Sequence, residues 1–279
     1  RVERLDPYMV IHSLNHSINA EDGGNNTDKY RNPEFDKIAD EQRSEMDLEK
    51  RKELVFEAQR ILAEDVPRIT IYSRDIVQAY NKDKFSNPVN MVGEGLFNEW
   101  MPITIEPTTD DKVLKVASNT NIDTLNPLNS NTVYEWRNLR LIYDKLLRTT
   151  KDVELQGSAA ESWNVVDDTT IDVVLRSGMT FHDGNPVTVE DVKYTYDLMI
   201  EHAPYFKSFL DPIESVEIID DNTVRFNLKF PTASFLSTAL TQIPILPKHV
   251  WEAKEDGKTD TNDTPIGSGP FVFQHFRPG

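Results

Sequence analysis

The chain has 279 residues, enough for one large or two ordinary domains. Acidic residues outnumber basic ones by 47 to 30, a net charge of −17. That balance argues against a nucleic-acid binder, which needs a basic face, and against adhesion to anionic lipid. There is no cysteine, so thiolate catalysis, disulfides, cysteine zinc sites and iron–sulfur clusters are excluded. No apolar run reaches the roughly 18 residues of a membrane span.

In chain order, "YMVIHSLNH", Tyr8 to His16, reads as a strand running into a loop. His12 and His16 are four apart, a spacing that holds a metal on a helix. On a strand-to-loop segment the two rings do not converge, so no metal is expected there. Asn32-Pro33 predicts an N-cap with proline at the first helical position, with Phe35, Ile38 and Ala39 turned inward. Asp47 starts a second helix, whose apolar face is Leu48, Leu54, Val55, Ala58, Ile61 and Leu62, and Pro67 stops it. "RITIYS" and "IVQAYN" then read as short strands. A Pro/Thr/Asp-rich stretch around residues 107–112 is the best linker candidate.

The texture changes after the linker. "VLKVAS", Val113 to Ser118, predicts a strand. "TVYEWRNLRLIYDKLL" predicts a helix with Val133, Trp136, Leu139, Ile142 and Leu146 at helical spacing. "NVVDDTTIDVVL" (Asn164 to Leu175) and "EIIDDNTVRFNL" (Glu217 to Leu228) are two hairpins built on one turn chemistry. Between them Thr188 and Asp191 form a capping box for a helix with Val192, Tyr196 and Met199 inside. "PIGSGPFVFQHF" closes the chain as a glycine turn into an alternating strand. Strands and helices without a regular βαβ period give an α/β or α+β architecture with several subdomains.

The catalytic readings fail one by one. His182 and Asp183 stand side by side, but Asp183-Gly184 signals a turn, and neighbours in extended chain rarely point at each other. Gly267 to Gly269 is followed by Pro270 and a strand, not by the helix that a phosphate loop needs. No GxSxG elbow is present. Glu190 and Asp191 occupy the first turn of a helix, where its dipole stabilises them. Trp100 sits among loop-like residues with no periodic partner, which makes it a candidate pocket wall. The residues point to a binding protein, not an enzyme, with no cofactor and no metal.

The order of motifs adds a family resemblance. Leu125-Asn126-Pro127, Glu161-Ser162-Trp163, Leu175-Arg176, Phe181 to Gly184, Glu190 to Val192 and Gly267 to Phe271 fall in sequence at sensible spacing. Together, over Val113 to Gly279, they resemble the first half of the extracellular solute-binding proteins of ABC importers. This is the family that binds peptides, nickel and related solutes. Residues 1–106 resemble the same family's end, with its late helix pair and returning strands.

The chain is therefore read as 1–106, a C-terminal part; 107–112, a linker; and 113–279, an N-terminal half. Arg1 opens it without Met or signal peptide, so it is read as a piece of something longer. Tandem fusion of two copies explains this order best, ahead of circular permutation and of a chimera of adjacent genes.

The resemblance implies an α/β fold of periplasmic-binding-protein type II-like lobes, incomplete here. It implies a small peptide or similar solute as ligand and the membrane permease and ATPase of an importer as partners. The expected location is the extracellular face or periplasm, with a membrane anchor outside this sequence. The alternative is a ligand-sensing or chaperone-like module on the same fold. Phe181, His182, Asp183, Gly184, Gly267, Gly269 and Pro270 are expected to be scaffold. The candidate cleft residues are Asn131, Tyr134, Glu135, Asn15, His16 and Trp100.

Overall fold

A computed structural model describes residues 6–21, 24–72, 77–118 and 120–277. Helix α1 (Pro33–Ser44) starts where the Asn32 side chain accepts the amides of Glu34 and Phe35. Helix α2 (Leu48–Asp65) starts the same way on Asp47. Each cap satisfies amides that the first helical turn leaves without partners. The two helices pack their apolar stripes together, burying Phe35, Ala39, Val55, Ala58 and Ile61 around Ile11 in a small core of their own.

Strand β1 (Phe85–Ser86), helix α3 (Met101–Thr104) and strand β2 (Glu106–Pro107) follow, with β1 and β2 antiparallel. The expected linker is exposed yet pinned here: Thr108 donates its amide to Lys84, and Lys84 pairs with Asp111 at 2.9 Å.

Helix α4 (Val133–Ile142) begins with a capping box between Thr132 and Glu135. Leu146 lies beyond its end, and Leu147 opens β3 (Leu147–Thr149), which pairs with β4 (Leu155–Gly157). Strands β5 (Ala160–Asp167) and β6 (Thr170–Leu175) form the first expected hairpin.

Helix α5 (Val189–His202) carries the expected box of Thr188 and Asp191. Short helix α6 (Lys207–Leu210) leads to the second hairpin, β7 (Ile213–Ile218) and β8 (Thr223–Leu228). Helices α7 (Phe235–Gln242) and α8 (Lys248–Trp251) complete the order.

The two hairpins join through their second strands into one antiparallel sheet, β5-β6-β8-β7. Alternation sends Ile171, Val173, Leu175, Val224, Phe226 and Leu228 to the same buried face. Val192, Tyr196 and Met199 of α5 cover that face and are fully enclosed. Tyr196 meets Phe226 edge-on at 4.7 Å and donates its hydroxyl to the Ala239 carbonyl.

Four sequence expectations are corrected. "VLKVAS" (113–118), the described parts of "RITIYS" and "IVQAYN" (68–72 and 77–81), and the closing segment after Gly269 contain no strand. Residues 73–76 lie outside the described ones. A strand needs a neighbour to take its amides and carbonyls. Among the described residues 68–72, 77–81 and 113–118 find none, with Ile69 and Ile71 77 % and 91 % exposed, and the closing segment finds only a single amide bond, from Phe271 to the Leu141 carbonyl. The fourth correction is "YMVIHSLNH". It forms a π-helical turn at Met9–Ser13 and a 3-10 turn at Ser17–Asn19, not a strand.

The two halves touch along a seam. The Ser237 hydroxyl donates to Asp6, which also pairs with Arg51 at 2.7 Å. Lys145, on the second half, meets Glu99 of the first at 2.6 Å, both largely enclosed. Burial opposes ionisation of Glu99, but Lys145, Arg140 and Arg148 outweigh it and hold its carboxyl below the usual range.

Candidate functional site

Helix α4 separates core from seam. Trp136, Leu139 and Ile142 are buried on one face. Tyr134, Arg137 and Arg140 stand on the other, three residues apart, as neighbours on a helix surface do. This second face fronts a cavity of about 1010 Å³. Its opposite wall comes from the first hundred residues, with Tyr8, His12, Arg43 and Phe97 among the lining groups. A smaller chamber of about 180 Å³ shares Glu94, Phe97, Tyr134, Arg137 and Arg140 and reaches back to Val116 and Ile122. Cavities of several hundred Å³ with a few convergent polar groups are the usual form of a small-ligand site.

The sequence candidates scatter. Asn131 and Tyr134 line the large cavity. The Glu135 carboxylate is occupied by capping: it accepts the amides of Asn131 at 3.0 Å and Thr132 at 2.9 Å, and the residue is 3 % exposed. Asn15 donates its side-chain amide to the Val10 carbonyl and is not among the lining residues. Trp100 donates its indole N–H to the Thr149 carbonyl at 2.7 Å and carries Arg148 over its ring, which fastens the seam and lines neither cavity.

His16 is buried behind the wall that His12 helps to form. The π-helical turn stacks the two imidazoles with centroids 4.5 Å apart, overturning the expectation that they diverge. Their Nε2 atoms both approach Asp40 Oδ1, at 3.3 and 3.4 Å, and the three donors are grouped closely enough to surround a cation. The tautomer opposes that use. His16 Nδ1 accepts the Ile18 amide at 3.0 Å, which places its proton on Nε2, facing Asp40. A metal on that Nε2 would displace this proton, whereas a metal-bound imidazole normally keeps a proton on its other nitrogen. Burial, then the charge of Arg43 and the neighbouring His16, lower His12 to about 4.

The scaffold residues cluster away from the cavity. His182 donates its amide to the Gly267 carbonyl at 2.8 Å, and its Nε2 bonds the Gly269 carbonyl at 2.9 Å. Gly269 and Phe271 in turn donate to Ile142 and Leu141 at the end of α4. Phe181 is buried, Gly184 makes its turn at φ +89°, and Asp183 pairs with His249 at 2.7 Å. Pro270 is exposed.

Residues 154–279 match the family described as bacterial extracellular solute-binding proteins, family 5 Middle. The second half of this chain is thus similar to the family 5 solute-binding proteins. Protein XP55 of Streptomyces lividans is 36 % identical over 171 residues, covering 60 % of this chain and 30 % of that protein. The oligopeptide-binding protein AppA of Bacillus subtilis is 32 % identical over 146 residues, covering 50 % and 27 %. Its structure with a nonapeptide superposes on 58 % of this chain and 33 % of AppA, at 28 % identity and a TM-score of 0.51. NikZ of Campylobacter jejuni, solved with Ni(L-His), gives 29 % identity and a TM-score of 0.50 over 57 % of this chain and 32 % of NikZ. The chain thus spans about 30 % of the length of the curated relatives it matches.

The site residues that the sequence did not single out are Phe97, Arg137, Arg140 and Tyr8. For the α4 pair a signal existed: two arginines on the face opposite a run of core residues. For Phe97 and Tyr8 none did, because the fold brings them from far along the chain.

Proposed function

We propose that this chain belongs to the extracellular solute-binding component of an ABC import system and takes a small peptide or similar solute. The cavity between the two halves carries the reading. Its volume, about 1010 Å³, suits a short peptide, and both halves supply its walls, as a hinge that closes on a solute requires. The Asn131 side-chain amide lines it and can meet a peptide backbone directly or through water. The family 5 match of residues 154–279 supports the reading, as does the likeness to AppA, whose solved structure holds a nonapeptide.

On this reading the partners are a membrane permease and its ATPase, and the place of work is the extracellular face or periplasm, held by an anchor elsewhere in the protein. The chain binds its solute without turnover. None of its described helices is long and apolar enough to cross a membrane. The end-then-beginning order, with 1–106 ahead of 113–279, belongs to the same proposal. Native mass spectrometry of the purified chain with mixed short peptides tests it. One bound peptide per chain is expected, and no retained peptide at any concentration up to about 1 mM, equivalent to only about 4 kcal/mol of binding, would overturn it.

A further inference from the structure

The cavity has the opposite charge balance to the chain. The whole sequence carries 30 basic against 47 acidic residues. The cavity walls carry Arg43, Arg137, Arg140 and Lys207 against Glu94 and Asp211. Arg140 is answered by Glu94 at 3.4 Å and by the side-chain amide oxygen of Gln242 at 2.8 Å. Other sheltered cations also have carboxylates, as Arg51 has Asp6, Lys145 has Glu99 and Arg148 has Asp144. Arg43 and Arg137 do not. Among the described residues neither has an ion pair, although carboxylates are the commonest charged groups in the chain.

Both arginines are held by aromatic faces instead. The Arg137 guanidinium lies 5.3 Å from the Phe97 ring and 5.6 Å from the Tyr134 ring, contributed by opposite walls. Arg43 lies 4.5 Å from Phe230 and 5.6 Å from Tyr8, and its Nε is buried without a hydrogen-bond partner. Stacking on rings fixes the plane of a guanidinium and leaves its N–H fork free. A fork held flat matches the two oxygens of a carboxylate.

We infer that Arg137 is the anchor for a carboxylate of the bound solute, with Arg43 supplying a second basic wall, so that the site selects anionic ligands. The inference rests on the solute-binding reading above and narrows its ligand class. The carboxylate can be a peptide's C-terminus or an acidic side chain, since either presents the same two oxygens.

Calorimetric titration of the full chain separates these cases. The probes are trialanine with a free C-terminal carboxylate, trialanine amide, and Ala-Glu-Ala amide. At least one carboxylate-bearing probe should bind roughly ten- to a hundredfold tighter than trialanine amide, and the advantage should shrink as salt rises. Arg137→Gln should abolish the preference while leaving the thermal melt within a few degrees of wild type. Arg137→Lys should restore part of it, because it returns the charge without the fork. Equal affinity for all three probes would overturn the anchor and leave the solute-binding reading standing. No binding of any probe would remove both.

Discussion

His12 shows how one buried ring ties stability to pH. It is 6 % exposed, stacked between Tyr8 and His16, with Arg43 and Asp40 as its charged neighbours. Burial, then Arg43 and His16, hold it at about 4 against an ordinary value of 6.5, while Asp40 pulls the other way without prevailing. The fold therefore favours the neutral ring, and the unfolded chain takes up the proton first as pH falls. This contribution is intact above about pH 6.5 and is lost between there and about pH 4. Denaturant titrations at pH 7 and pH 5 should show wild type losing on the order of 1–2 kcal/mol more than His12→Asn. Equal losses would mean that the ring is not held neutral. The residue type was visible in the sequence, but its setting was not. "YMVIHSLNH" alternates well enough to pass for a strand, and only packing against α1 and α2 winds it into a turn.

At the scale of elements, the closing Gly-Ser-Gly strap is fixed by space. A Cβ on Gly267 would sit 2.0 Å from the Ile142 carbonyl oxygen, a backbone atom that cannot swing aside. Gly267→Ala should lower stability by about 1–3 kcal/mol. Ser268→Ala removes only a buried hydroxyl that has no hydrogen-bond partner, and should be near neutral. Thermal melts compare the two, and equal midpoints would contradict the docking. The hairpins, the Asn32, Asp47 and Thr188 caps, and the inner face of α5 were legible because their signals are local: a turn dipeptide, a capping residue, a stripe. The strands expected at 68–73, 76–81 and 113–118 were not, because β-structure is completed by a neighbour and, over their described parts, the described residues offer them none. Trp100 and Glu135 were chosen for the right neighbourhood, but each spends its polar group on backbone partners across the seam or at a helix start.

At the scale of the molecule, the seam makes the site, since the cavity exists only where residues 6–100 meet α4, α6 and α7. Among the described residues the Glu99–Lys145 pair is the most enclosed ion pair across it. Glu99→Ala leaves a buried ammonium without its carboxylate and should cost about 3–5 kcal/mol, whereas the double change Glu99→Met with Lys145→Met should recover most of it. A single variant as stable as wild type in chemical denaturation would show the halves are not joined there. The likeness of residues 154–279 to family 5 was readable from the order of short motifs. The cavity's lining was not, because Tyr8, Arg43 and Phe97 come from the first hundred residues, far from α4 along the chain.

On the reading proposed above, this seam cavity holds the solute. Native mass spectrometry of the chain with mixed short peptides tests it most directly, run beside Asn131→Trp, which places bulk at an exposed point of the cavity wall. One peptide bound per wild-type chain and none on the equally folded variant is the predicted result. Undiminished binding to the variant, or none to wild type, would contradict it.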